Sequence, residues 1–232
     1  MKQRLSSICG IGSVLTGALM CASCMGSYQI EGNVDGHGYD GHVMSLVEYT
    51  QQGFLVLDSC TVSHGTFNMD GATDTVRFVM LCKDYVPVIP MYLEKGRTKV
   101  KLSPTEMVAR GTRQNNLFYS FLQEKNEIDN RFDDMQQKMQ QLYQDDVVDR
   151  QEIQATRDSI SSIIAECEDL IFDFISSNFN EQAAVGAFLM LTFGPTNGNI
   201  PPLVRRIVDV APDKFLKNSA VDQYLKSAGY SR

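Results

Sequence analysis

The residues of this chain best suited to covalent chemistry are its six cysteines. Cys21 and Cys24 are separated by two residues, which is the spacing of a redox-active dithiol. Both lie in an N-terminal segment with the pattern of a secretory leader, and a thiol that is discarded or acylated cannot carry electrons. The sequence predicts a different reaction for Cys24, the attachment of lipid. Cys21 is the poorer acceptor, because the bulky Met20 would lie at its cleavage position.

The leader has the three parts of a lipoprotein signal. Two basic residues precede a mostly apolar run over residues 8–20, and the small residues Ala22 and Ser23 follow directly before the acceptor cysteine. We therefore expect cleavage before Cys24. The alternative is a membrane-spanning helix, which needs about 20 apolar residues. This run is shorter, and glycines and hydroxyl residues interrupt it.

Three further cysteines remain in the mature chain. In an oxidising compartment, three thiols cannot all pair within one chain. Cys60 and Cys82 lie in strand-like segments and could meet across a sheet as a disulfide or redox pair. Because disulfide geometry is demanding, we favour two buried thiols. Cys167 lies on an apolar helical stripe and is expected to be a small buried side chain.

No other group of residues has the pattern of a reaction centre. His37, Asp40 and His42 share a glycine-rich segment, but three ligands at loose spacing are a weak metal pattern, and a polar hairpin loop is the favoured interpretation. Ser59 follows Asp58 without a histidine nearby in sequence, so this pair is expected to end a strand or to satisfy backbone groups at a bend. We predict no catalytic residue, no cofactor and no metal ion.

The mature chain is acidic. Removal of residues 1–23 leaves 209 residues and takes away Lys2 and Arg4, so that 19 basic residues stand against 28 acidic ones and the formal charge is −9. Such a surface argues against binding to nucleic acid and against a polybasic attachment to anionic lipid. We expect the acyl chains on Cys24 to attach the protein to the membrane. An envelope protein is the expected partner, and no small-molecule substrate is indicated.

The residues from 28 to 110 have the pattern of short strands. Apolar and polar positions alternate, and turns rich in glycine recur at a spacing of roughly 8–12 residues, which is typical of an antiparallel β-sandwich or barrel. One such strand runs from Val86 to Leu93. Its two prolines, Pro87 and Pro90, confine it to a sheet edge or a bulge.

After residue 111 the apolar residues recur at steps of three and four, the period of a helix. Thr112 is expected to be the N-cap of a long amphipathic helix. An acidic turn at Asp145 and Asp146 joins it to a second long helix, which predicts an antiparallel hairpin. A third helix is expected over residues 181–193.

Two short helices over residues 201–210 and 219–228 complete the prediction. The fold class is therefore α+β, with an antiparallel β-sandwich or barrel-like domain followed by a helical region. The expected boundaries are residues 1–23 for the signal peptide, 24–27 for the lipidated N-terminus, 28–110 for the β-domain and 111–232 for the α-helical domain.

Short motifs in a characteristic order extend through both halves of the chain. In the β half they are Tyr28-Gln29-Ile30-Glu31-Gly32, Asp58-Ser59, Gly65-x-Phe67-x-Met69-x-Gly71, Met91-Tyr92-Leu93-Glu94-Lys95-Gly96, and Gly111-Thr112 before Asn115. The β half resembles a domain of unknown function that forms the N-terminal β-domain of Bacteroidetes envelope lipoproteins. In those proteins it usually precedes a thioredoxin-like (AhpC/TSA-type) thiol–disulfide oxidoreductase domain. The helical half is similar to the connector between the two domains, including Phe174-Ile175 before Asn178 and the segment from Val221 to Leu225.

The resemblance implies a β-domain and connector without the catalytic domain. In such relatives the thioredoxin-like domain would begin about where this sequence ends, and no Cys-x-x-Cys occurs after Cys24. A thiol–disulfide enzyme needs a thiolate of lowered pKa, commonly at a helix N-terminus with a resolving cysteine two residues away. The redox activity of the family therefore transfers to no residue of this chain.

These observations predict a non-enzymatic, lipid-anchored protein of the cell envelope that acts as a binding or scaffold module. The alternative is an accessory component of periplasmic thiol–disulfide exchange, and a third interpretation is a ligand-binding sandwich. Met25 follows Cys24 where a retention signal would have aspartate, and this favours the outer membrane. The same region has no acidic cluster, which favours a molecule that faces the periplasm.

Overall fold

The computed structural model describes residues 26–36, 38–50, 53–144, 149–194 and 200–230. The leader and Cys24 lie outside the described residues, and so does His37. The acidic turn predicted at Asp145 and Asp146 lies outside them as well. The predictions made for these residues stay predictions.

Eight strands within the described residues form two four-stranded sheets, which confirms the β-rich first half of the α+β prediction. The first sheet has the strand order β4-β1-β7-β8, and the second has the order β3-β2-β5-β6. The strands are β1 (Gly26–Val34), β2 (Val43–Thr50), β3 (Gly53–Thr61), β4 (Thr66–Thr73), β5 (Arg77–Lys83), β6 (Val86–Leu93), β7 (Gly96–Leu102) and β8 (Met107–Arg110).

The domain is antiparallel as predicted except at one ladder of the described strands, where β1 and β7 run parallel. After β1 the chain crosses to the second sheet to form β2, so the two strands adjacent in sequence do not pair. When β7 later enters the first sheet beside β1, it starts from the end where β1 also starts. The two strands therefore point the same way.

The sandwich core follows from the alternation of side chains along each strand. In β1, Tyr28 and Ile30 are buried while Gln29 and Glu31 face solvent. Facing them from the second sheet are buried residues such as Met44. Burial of these side chains supplies the main apolar stabilisation of this half of the molecule.

Strand β6 lies at the edge of the second sheet, as its two prolines predict. Pro87 is opposite Cys82 and Pro90 is opposite Met80, with a register shift between Leu81 and Cys82. Proline has no N–H to donate to a further strand, so an edge position costs no ladder hydrogen bond.

In the described residues after the sandwich there are six helices. They are α1 (Arg113–Gln144), α2 (Arg150–Ser177), α3 (Gln182–Leu191), α4 (Pro202–Val210), α5 (Asp213–Leu216) and α6 (Ser219–Ser227). Helix α5 is the one short element of this region that the sequence pattern did not predict.

Helices α1 and α2 pack against each other, which confirms the long hairpin. Asp149 caps α2, because its carboxylate accepts hydrogen bonds from the backbone N–H groups of Gln151 and Glu152. At 32 residues, α1 is about 48 Å long at 1.5 Å per residue. The far part of the hairpin has a small core of its own, formed by Met139, Leu142 and Ile153.

The strand directions define two ends of the sandwich. The N-terminal end is where β1 starts at Gly26, β2 ends at Thr50 and β3 starts at Gly53. The opposite end is where β1 ends at Val34 and β3 ends at Thr61. Val34 and Gly65, which follows β3, share a backbone hydrogen bond of 2.7 Å at this opposite end.

Candidate functional site

Cys60 and Cys82 lie on opposite faces of the second sheet. Cys60 of β3 is opposite Met44, and Cys82 of β5 is opposite Ser45. Because Met44 and Ser45 are consecutive in β2, their partners point to opposite faces. Two strand spacings separate β3 from β5, about 10 Å, which exceeds the Cα separation of a disulfide. Both residues are free thiols, so the disulfide that the sequence left open is not formed.

Cys82 is buried as expected, whereas the expectation of burial is wrong for Cys60 and Cys167, which are half-buried. Desolvation nevertheless raises the pKa of each described thiol. For Cys60, desolvation is the largest cause, and the carboxylate of Asp58 adds to it against a hydrogen bond from the backbone of Asn68. For Cys82, desolvation alone raises the pKa. For Cys167, desolvation is again the largest cause. A thiol with a raised pKa holds little thiolate at neutral pH, which is the opposite of an activated nucleophile.

Asp58 lies where the register of β3 shifts, and both of its oxygens accept hydrogen bonds. The Tyr28 hydroxyl donates to Oδ2 at 2.6 Å, and the backbone N–H of Ser59 donates to Oδ1 at 2.7 Å. Burial, followed by this hydrogen bond, raises the pKa of the Tyr28 hydroxyl. Asp58 therefore satisfies a backbone group at a bulge, whereas the alternative that this pair ends a strand is wrong, because β3 continues to Thr61. The same carboxylate also links the two sheets.

The described polar residues of the glycine-rich loop hold turns together. His42 Nδ1 lies 2.5 Å from Asp84 Oδ2, and Asp84 Oδ1 accepts from the backbone N–H of Val43 at 3.1 Å. These bonds, the Val43 bond first, lower the pKa of Asp84. Asp40 accepts from the backbone N–H of Gly65 at 2.8 Å. Within the described parts of the chain, no three His, Cys, Asp or Glu side chains form a group that could hold a metal ion.

A buried polar cluster joins the sandwich to helix α1. Glu94, in the turn after β6, accepts hydrogen bonds through Oε1 from the backbone N–H groups of Gln114 at 2.7 Å and Asn115 at 3.3 Å. A carboxylate at a helix N-terminus satisfies unpaired N–H groups and interacts favourably with the helix dipole. Thr112 is the N-cap residue of α1, as predicted, because its carbonyl accepts from the backbone N–H of Asn116 at 2.9 Å. Its hydroxyl accepts from Asn115 Nδ2 at 2.9 Å, so the side chain that accepts from the N–H groups of the first turn is Glu94.

Asn115 occupies the centre of this cluster and is wholly buried. Its Oδ1 accepts from the backbone N–H of Tyr92 at 2.8 Å, and its Nδ2 donates to the backbone carbonyl of Tyr92 at 2.8 Å. Tyr92 belongs to β6, whose outer edge has no further strand. The Asn115 amide therefore pairs with this edge as a neighbouring strand would.

Glu181 connects the first turn of α1 to the start of α3. Its carboxylate lies 2.5 Å from Arg113 Nη2 and accepts from Gln114 Nε2 at 2.7 Å. Gln114 Oε1 in turn accepts from the backbone N–H of Ala183 at 2.8 Å. The bonds from Arg113 and Gln114, in that order, lower the pKa of Glu181. This cluster, which we call the junction, comprises Glu94, Thr112, Arg113, Gln114, Asn115 and Glu181.

The sequence motifs contain residues of the junction, although the search for catalytic and metal-binding residue types did not identify them as a site. Three of its members belong to motifs that carry the family resemblance, namely Glu94, Thr112 and Asn115. Gly111 belongs to the same motifs and has a positive φ of 121°. A Cβ at Gly111 would overlap the carbonyl oxygen of Arg97, so the chain approaches β7 more closely there than any other residue would permit. The motifs therefore mark a structural connection.

An open groove of about 610 Å³ runs between α1 and α2. Its charged groups are already partly paired, since Arg131 Nη2 lies 2.5 Å from Glu166. The lining residues are Glu124, Glu127, Ile128, Arg131, Glu166, Asp169 and Leu170. We assign no chemistry to this acidic, solvent-exposed groove.

Four exposed apolar side chains lie close together on the β2–β3 hairpin of the sandwich. Tyr49 and Phe54 are directly opposite each other across the two strands, and 62% and 66% of their surfaces are exposed. Leu55 and Val56 follow on β3 and are exposed as well. We call these four residues the hairpin patch. The sequence did not predict the hairpin patch, because a short apolar strand has the same residue pattern whether it is buried or lies exposed at a sheet edge.

None of the helices in the described ranges is both long enough and apolar enough to cross a bilayer. The helical half packs instead against the sheet and against itself. Phe118 of α1, for example, is fully buried against Tyr92 with ring centroids 5.4 Å apart.

The comparison with known protein families gives one result for this chain. Residues 28–118 match the model of DUF4369, a domain of unknown function. The match begins in β1, covers the remaining strands and ends at Phe118 in α1, so it includes Glu94 and Asn115 of the junction. No curated protein and no solved structure matches the chain. Residues 28–118 are therefore similar to a domain whose function is unknown, and the match assigns no activity.

Proposed function

We propose that this protein is a non-enzymatic, lipid-anchored module of the cell envelope that presents a binding surface to an envelope partner. The observation that carries the proposal is the pattern of the leader, in which Ala22 and Ser23 directly precede Cys24. Strand β1 starts at Gly26, only two residues after that cysteine. With about 3.8 Å per residue, an acylated Cys24 would hold Gly26 within roughly 8 Å of the lipid attachment.

Binding is favoured over catalysis by how the polar groups are used. At the junction, the carboxylate of Glu94 accepts from backbone N–H groups, and the Asn115 amide pairs with backbone groups of Tyr92. Burial raises the pKa of Cys82 and of the other described thiols. A reaction centre leaves its polar groups poised towards a substrate, whereas these stabilise the fold.

For the location, we propose the outer membrane, with the protein facing the periplasm. The support is Met25, which occupies the position after Cys24 where a retention signal would have aspartate. Two or more acyl chains on Cys24 would attach an acidic protein stably without a basic patch, whereas a single chain gives only marginal binding.

Acylation is tested with full-length variants in a Gram-negative host. Cells fed an alkyne fatty acid should incorporate it into the wild-type chain and into Cys21→Ser, because Cys21 is discarded with the leader. Cys24→Ser should lose the label, and the protein should move from the membrane fraction to the soluble one. Label on Cys24→Ser, or an unlabelled wild-type chain in the cytosol with its leader intact, would contradict the proposal.

A second candidate function is that of an accessory in thiol–disulfide exchange. It is supported by the resemblance of the β-domain and connector to those of thioredoxin-like lipoproteins; the family match of residues 28–118 names no activity. In that case the protein would dock a separate thioredoxin-like protein, since raised pKa values make its own thiols poor nucleophiles.

The thiol chemistry of this second candidate can be measured directly. Native protein is treated with iodoacetamide at pH 7.5, and modified cysteines are located by mass spectrometry. We expect alkylation to be slow for Cys60 and slowest for Cys82, which is 1% exposed, with fast reaction of both after denaturation. A native thiol that reacts faster than free cysteine would favour a redox function.

A further inference from the structure

The start of the described chain and the hairpin patch lie at the same end of the sandwich. Strand β1 starts at the N-terminal end at Gly26, and β2 runs towards this end and reaches it at Thr50. Strand β3 leaves from the same end at Gly53. Tyr49 and Phe54 are therefore at the end where an anchor at Cys24 would enter the fold.

Gly26 and the hairpin patch also lie at a similar level along the strand direction. Strand β1 has nine residues and β2 has eight, and they are joined at the opposite end. The two sheets stack with β4 against β3 and β8 against β6, so β1 and β2 face each other in the middle. Facing sheets are about 10 Å apart. A bilayer within roughly 8 Å of Gly26 would be within reach of Tyr49 and Phe54.

The chemistry of the patch fits the boundary of a bilayer. Aromatic side chains with an apolar ring and a polar tip, as in Tyr49, are enriched at the level of lipid headgroups. From Tyr49 to Leu57 the sequence has no charged residue. The adjacent Glu48 is paired with Arg77 at 3.2 Å, so its charge is compensated. The patch contains no basic residue, which points to zwitterionic rather than anionic lipid.

We propose that the hairpin patch enters the interfacial region of the bilayer that holds Cys24, so that the N-terminal end of the sandwich faces the membrane. The inference rests on the lipid anchor of the proposed function. Insertion to about 5–10 Å is typical of interfacial segments. The patch would thereby fix the orientation of the sandwich, and with it the direction in which the opposite end points into the periplasm.

The absence of tryptophan from the sequence permits a clean test. Tyr49→Trp and Tyr85→Trp are matched single-tryptophan variants, since Tyr49 is 62% exposed at the N-terminal end and Tyr85 is 69% exposed at the opposite end. Each full-length acylated variant is reconstituted into phosphatidylcholine vesicles with brominated acyl chains. Intact mass confirms acylation, and circular dichroism confirms that both variants are folded.

We expect blue-shifted emission from the Tyr49→Trp indole and at least an about twofold loss of its emission in brominated vesicles. Emission from Tyr85→Trp should stay that of an indole in water. Acylated protein with no quenching of Tyr49→Trp, or with equal quenching of both variants, would overturn the inference while the anchor stands. A blue shift without quenching would assign the patch to another protein copy and would also overturn it. An unacylated chain would overturn both the inference and the proposed function.

Discussion

The side chain of Asn115 takes the place of a neighbouring strand at the edge of the second sheet. Its amide pairs with both backbone groups of Tyr92, which would otherwise be buried without partners. Because a side-chain amide carries a donor and an acceptor side by side, it can replace one residue of a neighbouring strand. The edge of β6 is thus closed by the first turn of a helix.

Replacement of the Asn115 amide should lower the stability of the folded protein. We expect Asn115→Ala to lower the free energy of unfolding by about 3 kcal/mol, because it leaves a buried N–H and a buried carbonyl of Tyr92 unpaired. Urea unfolding followed by circular dichroism gives the value. The control is Asn116→Ala, an exposed neighbour that accepts one bond from the Gly111 N–H and should cost less than about 1 kcal/mol. Equal losses in the two variants would refute the role given to Asn115.

Glu181 should contribute a pH-dependent part of the stability. Its pKa is lowered in the folded protein, so its contribution is fully present above the pKa of the unfolded chain. The contribution is lost as the pH falls through the lowered folded value. We therefore expect the difference in unfolding free energy between wild type and Glu181→Gln to be largest at neutral pH and to shrink below about pH 4.

The partner variant provides the check on this pH dependence. Arg113→Ala removes the first cause of the lowered pKa and should reproduce most of the effect of Glu181→Gln. Unfolding free energies of both variants, measured by urea titration between pH 3 and pH 7, would show whether their pH dependence agrees. A difference between wild type and Glu181→Gln that does not change over this range would contradict the assignment.

At the scale of elements, helix α3 packs against the sheet through a glycine. A Cβ at Gly186 would overlap the hydroxyl of Tyr92, which is itself buried and donates to the carbonyl of Gln182 at 3.1 Å. Glycine in a helix interior costs up to about 1 kcal/mol relative to alanine. The close approach of α3 to Tyr92 thus uses a residue that the helix alone disfavours.

We expect Gly186→Ala to destabilise the protein by about 1–2 kcal/mol despite its better helix propensity, because the new methyl group overpacks the contact. The companion variant is Tyr92→Phe, which removes the overlapping hydroxyl. Thermal unfolding of both single variants and of the double variant completes the double-mutant cycle. The double variant should be more stable than the two single effects predict by at least about 1 kcal/mol, and additive effects would argue against the contact.

Elements with a local cause could be predicted from the sequence. Strand β6 was predicted over Val86–Leu93 and has those bounds, and its prolines predicted its edge position. The parallel pairing of β1 with β7 was not predictable in this way, because it depends on which sheet each strand joins. The same holds for Glu94, which caps a helix that starts 19 residues later. A propensity or a turn acts over a few residues, whereas these contacts arise from the tertiary fold.

At the scale of the whole molecule, the helical hairpin has two regions of unequal support. Near the sandwich, Phe121 and Phe174 stack at 4.3 Å between ring centroids and belong to the main core. Farther out, Met139, Leu142 and Ile153 form the separate small core. Fewer buried apolar contacts imply a lower free energy of local opening.

Hydrogen exchange should resolve these two regions. We expect backbone amides around residues 139–142 and 153–156 to exchange at least about tenfold faster than those around residues 118–121, because the outer part can open while the sandwich stays folded. Exchange measured by mass spectrometry on peptides from both regions tests this. Leu142→Ala should accelerate exchange in the outer region alone, and acceleration in β1 and β2 as well would show a single cooperative unit.

Strand β1 lies between β4 and β7 and is hydrogen-bonded to both along most of its length. A pulling force applied through the N-terminus would act along the strand axis and load both ladders in shear, so that many bonds must break together. A strand at the sheet margin would instead unzip bond by bond under a small load. An acyl anchor at Cys24, as proposed above, would therefore load the fold at a mechanically resistant point.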